Sequence, residues 1–197
     1  IVFCSCKKSN TQQGVKLLPV ALGTPLQLQV DDQHPGYAVA PDFLGLSFEM
    51  SAITDSNYFN PSNTVFVELI KNLSPGILRI GGNSVDKTFW SGLKRNVFTT
   101  KDSITTTDID RFKNFITSIQ WNVIFGVNFG GNFNPAIASN EVAYVNSSLP
   151  QLMQSFEIGN EADLYPRNGL RTTSYTSNDF INEWNQYYDA IKKSVSV

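Results

Sequence analysis

Four short apolar runs recur along this chain, and each is followed by residues with helical spacing. The runs are "FLGLSFE" from Phe43, "ILRIGG" from Ile77, "NVIFGVNF" from Asn122 and "SFEIGNE" from Ser155. Their length and β-branched or aromatic content read as strands. After the first, Asn60-Pro61 opens a helix with Val65, Phe66, Leu69, Ile70 and Leu73 on one face, and Ser74–Gly76 stops it. After the second, a long polar loop over about 83–106 leads to a helix starting near Thr107. Its stripe is Ile109, Phe112, Phe115, Ile116 and Ile119, and Thr107 and Asp110 have capping-box spacing, with Asp in place of Glu. A weaker helical pattern covers about 139–147. The last helix opens near Ser177 with Phe180, Ile181, Trp184, Tyr187, Tyr188 and Ile191. This βαβαβαβα order implies a parallel sheet with helices outside it. A doubly wound sheet and a (β/α)8 barrel both fit the order. No G-x-G-x-x-G and no P-loop follows any strand. Gly130-Gly131 reads as a tight turn.

Side-chain parity separates the two architectures. Strand side chains alternate between faces. Leu44, Leu46 and Phe48 oppose Gly45, Ser47 and Glu49. Leu78 and Ile80 oppose Arg79, Gly81 and Asn83. Phe125 and Val127 oppose Gly126 and Asn128, and Phe156 and Ile158 oppose Glu157, Gly159 and Glu161. Each strand thus has one bulky apolar face and one small or polar face. The polar face ends at its C-terminal tip in Glu49, Asn83, Asn128 and Glu161. A doubly wound sheet is covered on both sides and is apolar on both. A barrel has one helix-facing side and places functional groups at the C-terminal rim. The parity therefore predicts the first four βα units of a (β/α)8 barrel over residues 43–197. Arg79 and Glu157 fall inside it, one layer below the rim. A buried charge is costly unless paired, so Arg79 is expected to be held by carboxylates, either Glu157 or an acid on a later strand. Such a pair serves either the site or the fold alone.

Composition bounds the chemistry. In 197 residues, 41% are hydrophobic and 16% charged, which suits one folded domain with a substantial core. Aromatic content is 12%, consistent with a surface for sugars or flat ligands, or equally with aromatic core packing. The net charge of −2 and the lack of a basic run beyond Lys7-Lys8 leave no footprint for nucleic acid. The single histidine, His34, sits in the turn-like "DDQHPG". Histidine-based triads and zinc sites have no residues to build on, so chemistry falls to carboxylates, hydroxyls and amides. No cofactor or metal is expected. Both cysteines, Cys4 and Cys6, are N-terminal, so no disulfide framework exists. "IVFCSCKKSN" resembles the tail of a bacterial lipoprotein signal, with Cys6 as the lipidated residue, or of an ordinary secretion signal. Either implies export, to the outer membrane, periplasm or cell surface for a lipid-anchored form. No run of ~18 apolar residues is present to span a membrane. Residues 1–16 read as a leader. Leu26, Leu28 and Val30 alternate with Gln27 and Gln29 as a strand within 17–42.

Three segments in this order, "FLGLSFEMS", "LSPGILRIGGNSVD" and "FEIGNEADLY", resemble glycoside hydrolase family 79, which contains β-glucuronidases and the heparanases. The resemblance runs from about Leu26 to the end. It implies a (β/α)8 barrel joined to a β-sandwich, with residues 17–42 lending a strand to the sandwich. It implies a retaining hydrolase of β-linked uronic acids acting on a carbohydrate substrate. By match to the motif, Glu161 is the general acid/base, Asn160 binds the sugar's 2-hydroxyl, and Glu49 and Asn83 contact other hydroxyls. Asn128 joins this set at the rim, and Tyr165 and Trp90 either wall the cleft or pack beneath it. A retaining enzyme needs two carboxyls ~5–5.5 Å apart, one protonated and one ionised. Glu157 lies ~13 Å from Glu161 along an extended strand, too far for that role. The family carries its nucleophile on a later strand, beyond residue 197, so the second acid is expected from there, with Glu49 the lesser alternative. The chain is therefore expected to be the front part of a longer protein, partnered by a C-terminal half and inactive alone. A barrel glycosidase of other sugar specificity and a non-catalytic carbohydrate-binding lipoprotein are the alternatives.

Overall fold

The computed structural model describes residues 29–34, 36–73, 75–131 and 133–195. Cys6, and most of the strand read over Leu26–Val30, lie outside them. Residues 1–38 and 39–197 form separate compact units. In the first, the described residues form no strand. His34 is exposed there and bonds Asp31 at 2.8 Å within a turn, as "DDQHPG" suggests.

The second unit is built on a four-stranded sheet: β1 (Gly45–Glu49), β2 (Ile77–Gly81), β5 (Asn122–Val127) and β6 (Met153–Ile158). All neighbours are parallel, and the spatial order follows the chain, β1-β2-β5-β6. Helix α1 (Thr64–Lys71) connects β1 to β2, α2 (Thr106–Ile119) leads into β5, α3 (Pro135–Ser148) links β5 to β6, and α4 (Ser177–Ser194) follows. A sheet that never reverses its order, with successive helices packed on one another, is an arc of a (β/α) barrel and not a doubly wound sheet. The register aligns Phe48, Ile80, Phe125 and Phe156 on the helix side. One extra residue in β6, at Gln154, brings Phe156 level with Phe125 and Glu157 level with Gly126.

The helix side holds the main core. Phe48, Phe59, Phe66, Phe112 and Phe115 meet in edge and stacked contacts with ring centroids 5.3–6.2 Å apart. Leu78, Ile80, Val123 and Phe125 are fully buried beneath them. Each such side chain contributes about 1.5–3 kcal/mol through burial. The whole stripe of α2 is buried, as its spacing predicts. The opposite sheet face carries Ser47, Glu49, Arg79, Gly81 and Glu157. It is not uniformly polar, because Ile124 registers with Arg79 and Ser155 on that face.

Several boundaries differ from the sequence reading. Asn60-Pro61 forms a turn, and α1 begins three residues later at Thr64, capped by the Asn63 side chain. Its packed residues are Phe66, Val67 and Ile70, while Val65, Leu69 and Leu73 are exposed. The capping box of α2 is Thr105 with Asp108, not Thr107 with Asp110. Asp108 also receives Arg95 and Arg111, which fixes that choice. The stretch read as loop holds two short strands, β3 (Phe89–Trp90) and β4 (Ser103–Ile104), paired in parallel. Two-residue strands leave no periodicity to read.

Candidate active site at the strand C-termini

Arg79 projects from β2 onto the inner face, and its guanidinium organises the site. Nε and Nη2 donate to the two oxygens of Glu157 at 2.7 and 2.9 Å, a bidentate pair. Nη1 reaches Ser47 Oγ at 3.1 Å, and Nη2 reaches Asn160 Oδ1 at 3.1 Å. The sequence expectation that Glu157 holds Arg79 is met. With its Oδ1 taken by Arg79, Asn160 turns its amide nitrogen to Asn83 Oδ1 at 2.9 Å. Asn83 lies just past β2, and its backbone N–H and that of Ser84 donate to Glu49 at 3.3 and 2.7 Å. Five residues from three strand ends, Glu49, Asn83, Asn160, Arg79 and Glu157, thus form one chain of contacts, with Glu49 joined through the Asn83 backbone. Burial pushes the Glu49 carboxyl up, but hydrogen bonds from Ser84 and Asn83 and the Arg79 charge outweigh it. Glu49 therefore sits below the ordinary carboxylate value and stays ionised.

Glu161 is placed by a turn and not by strand alternation. β6 ends at Ile158, Gly159 has φ +70°, and Glu161 itself is left-handed at φ 50°, ψ 51°. A glutamate in that region is uncommon and strained, and such residues cluster at functional sites. Its carboxylate is exposed and makes no hydrogen bond among the described residues. Strand parity grouped Glu161 with Glu157, but β6 stops at Ile158 and Glu161 lies in the turn beyond it, so alternation does not set its direction.

The other candidates are deeper. Tyr165 is 1% exposed and packed among these loops, and it lines the base of the pocket beside Asn83 and Asn160. Its hydroxyl donates to Asp86 at 2.9 Å, and burial followed by the Asp86 charge raises its pKa, which keeps the proton in place. Trp90 is also buried and donates to Asn140 at 2.7 Å. Asn128 spends both ends of its amide on loop backbone, donating to Thr88 O at 2.7 Å and accepting from Gly131 N at 3.0 Å. Asp86, which sequence reasoning missed, is 3% exposed at the centre of these loops. The signal was present as an acid in "GGNSVD", three residues past Asn83, but nothing local distinguishes it from a surface turn residue. Arg171 closes the far side, donating to Phe129 O, Gly130 O and Glu183 and lying 5.5 Å from the Phe129 and Tyr165 rings. A pocket of about 240 Å³ opens beside the pair Asn83–Asn160, with Lys87 and Asn168 on its wall.

Known proteins place this architecture. The chain matches a solved structure described as a novel 4-O-α-L-rhamnosyl-β-D-glucuronidase from Fusarium oxysporum 12S, in complex with Rha-GlcA, at TM-score 0.58 and 17% identity. The match covers 81% of this chain and 36% of that one, so this chain spans about a third of that protein. At this identity the likeness is one of fold: the arc resembles part of a glycosidase barrel. No protein-family model matches the chain, and no curated protein matches it.

Proposed function

We propose that this chain carries the acid/base side of a retaining glycosidase site of the glycoside hydrolase family 79 type, acting on β-linked uronic acids in a carbohydrate substrate. The observation that carries this reading is the pair Asn160–Glu161. Asn160 is oriented at both ends of its amide, and beside it stands a glutamate with a free, solvent-facing carboxyl. An amide nitrogen has two N–H donors, so Asn160 keeps one for a substrate hydroxyl while bonding Asn83. A contact to the 2-hydroxyl strengthens as charge develops at the anomeric carbon. Glu161 donates its proton to the departing oxygen and later takes one from water. Glu49 and Asn83 form the floor under the other hydroxyls. The attacking carboxylate comes from outside this set, since Glu157 is bound to Arg79 through both oxygens and Glu49 is bound to the Asn83–Ser84 backbone. Export as a lipid-anchored protein through Cys6 belongs to the same proposal and rests on the sequence alone.

The test uses the protein at its natural full length. Glu161→Ala is expected to slow hydrolysis of an aryl β-glucuronide with a poor leaving group by roughly 10²–10⁴-fold. A substrate with an activated leaving group needs no proton and should suffer far less. Azide should then restore turnover and yield a β-glycosyl azide, the signature of an intermediate opened without the acid/base. Wild-type rates in Glu161→Ala, or equal losses on both substrates with no azide product, exclude the assignment.

A further inference from the structure

We infer that Asp86, acting with Tyr165, is the positioning residue that holds the Asn160–Glu161 pair in its working geometry. This inference rests on the glycosidase reading of that pair. Asp86 lies at the base of the pocket beside Asn83 and Asn160, and its carboxylate oxygens are engaged by protein donors, which leaves it no part in the proton transfer. Its carboxylate gathers donors from two other rim segments while its own backbone belongs to a third. Oδ1 accepts from Phe129 N at 3.0 Å and Gly130 N at 2.7 Å, beyond the end of β5. Oδ2 accepts from Tyr165 O–H at 2.9 Å and Asn160 N at 3.3 Å, beyond the end of β6. The Tyr165 oxygen also lies 3.4 Å from Asn160 N and receives part of that N–H. A carboxylate buried to this degree is costly without such partners, and four donors satisfy it. An uncharged amide in its place offers a single acceptor oxygen for the four.

The glycines around this cluster give independent support. A Cβ at Gly130 would stand 2.9 Å from Asp86 Cγ, and one at Gly131 would collide with the Asp86 carbonyl oxygen. One at Gly159 would strike the Tyr165 hydroxyl. Gly130 and Gly131 do not have positive φ, so the turn alone does not require them; the close approach to Asp86 does. The loops after β5 and β6 are therefore shaped to let Asp86 and Tyr165 reach the backbone.

The consequence concerns Glu161. Its left-handed backbone is held on one side by the Asn160 N–H, anchored below to Asp86 and Tyr165. The Asn160 side chain is anchored above to Arg79 and Asn83. Releasing the lower anchor lets the strained turn relax and moves the acid from the leaving oxygen. A displacement on the order of 1 Å is enough to lose about 10²-fold in rate.

Tyr165→Phe and Asp86→Asn in the full-length protein test this, the first preserving packing if the second compromises folding. Both should speed hydrogen exchange at the Asn160 amide. Both should lower kcat on a poor leaving group by roughly 10–10²-fold with KM within about twofold, and spare an activated leaving group. Their double variant should lose less than the sum of the two. A purely structural role would slow both substrates alike, and that result overturns the inference, as does unchanged exchange at Asn160. If the wild-type protein hydrolyses neither substrate, the glycosidase reading falls. The positioning role is then decided by exchange at Asn160 alone, faster in both variants supporting it and unchanged overturning it.

Discussion

Arg79 and Glu141 show two opposite fates for a charge in this domain. Arg79 spreads its donors over Glu157, Ser47 and Asn160, in a fork that only a planar guanidinium provides. Arg79→Lys keeps the charge but not the fork. It is expected to cut kcat of the full-length protein about tenfold or more while the chain stays folded, as measured by steady-state rates beside a urea melt. Glu141 lies on α3 against Phe89, Trp90, Ile137 and Ala138, 3% exposed and without a hydrogen-bond partner among the described residues. Burial alone raises its pKa from 4.5 to about 8. The folded pKa is above the unfolded one, so the folded state holds this proton more tightly. Its stabilising effect is complete below pH 4.5 and is lost as pH rises towards about 8. At ~1.4 kcal/mol per pH unit of displacement, the loss amounts to several kcal/mol. Glu141→Gln should flatten this decline, so that thermal melts of variant and wild type diverge in the variant's favour between about pH 5 and pH 8.5. An unchanged pH dependence contradicts it. The sequence did not mark this residue. A helix packed against α2, α4 and the β3 strand has no single apolar stripe, and an acid in it reads as part of a solvated face.

Among the elements, α2 has the clearest sequence signature, and its capping box still falls two residues before the expected one. "TTTDID" contains two Thr-x-x-Asp pairs, and local spacing fits both. Asp108 wins because it is fully buried between Arg95 and Arg111, residues whose approach is set by the loop before α2 and by the helix's own next turn. Burial pushes Asp108 up, but hydrogen bonds from Arg95, Thr105 and Arg111 outweigh it and hold it below the ordinary 3.8. A depressed folded pKa contributes stability above the unfolded value, and this is lost as pH falls through the folded one. Asp108→Asn should therefore cost about 3–5 kcal/mol near neutral pH, because it strands two arginines. The penalty should shrink below about pH 4, where wild type loses the same charge. Urea titrations at both pH values check this. The α1 helix makes the complementary point. Its apolar residues cover more than one face, so composition established a helix while packing selected Phe66, Val67 and Ile70.

At the scale of the whole molecule, β1 and β6 are the edge strands of the sheet among the described residues, and the inner face between them carries the candidate site. Among the described residues of the rim set, the Glu161 carboxyl makes no hydrogen bond, while Glu49 and Glu157 are both engaged. Residues 1–197 expressed alone are expected to give no turnover of an aryl β-glucuronide. Measurable hydrolysis, abolished by Glu161→Gln, would place the nucleophile within this chain and overturn that part of the proposal. The sequence by itself determined the βα order, the helix-facing core and the need of the inward Arg79 for a carboxylate partner, because these follow from strand alternation and helical period, which are local and repeat. Only the tertiary structure decided the left-handed turn at Glu161, the loop duty of Asn128, the burial of Tyr165 and the role of Asp86. The donors to Asp86 lie 43 to 79 residues further along the chain, and no periodicity encodes which distant loops will converge on one carboxylate.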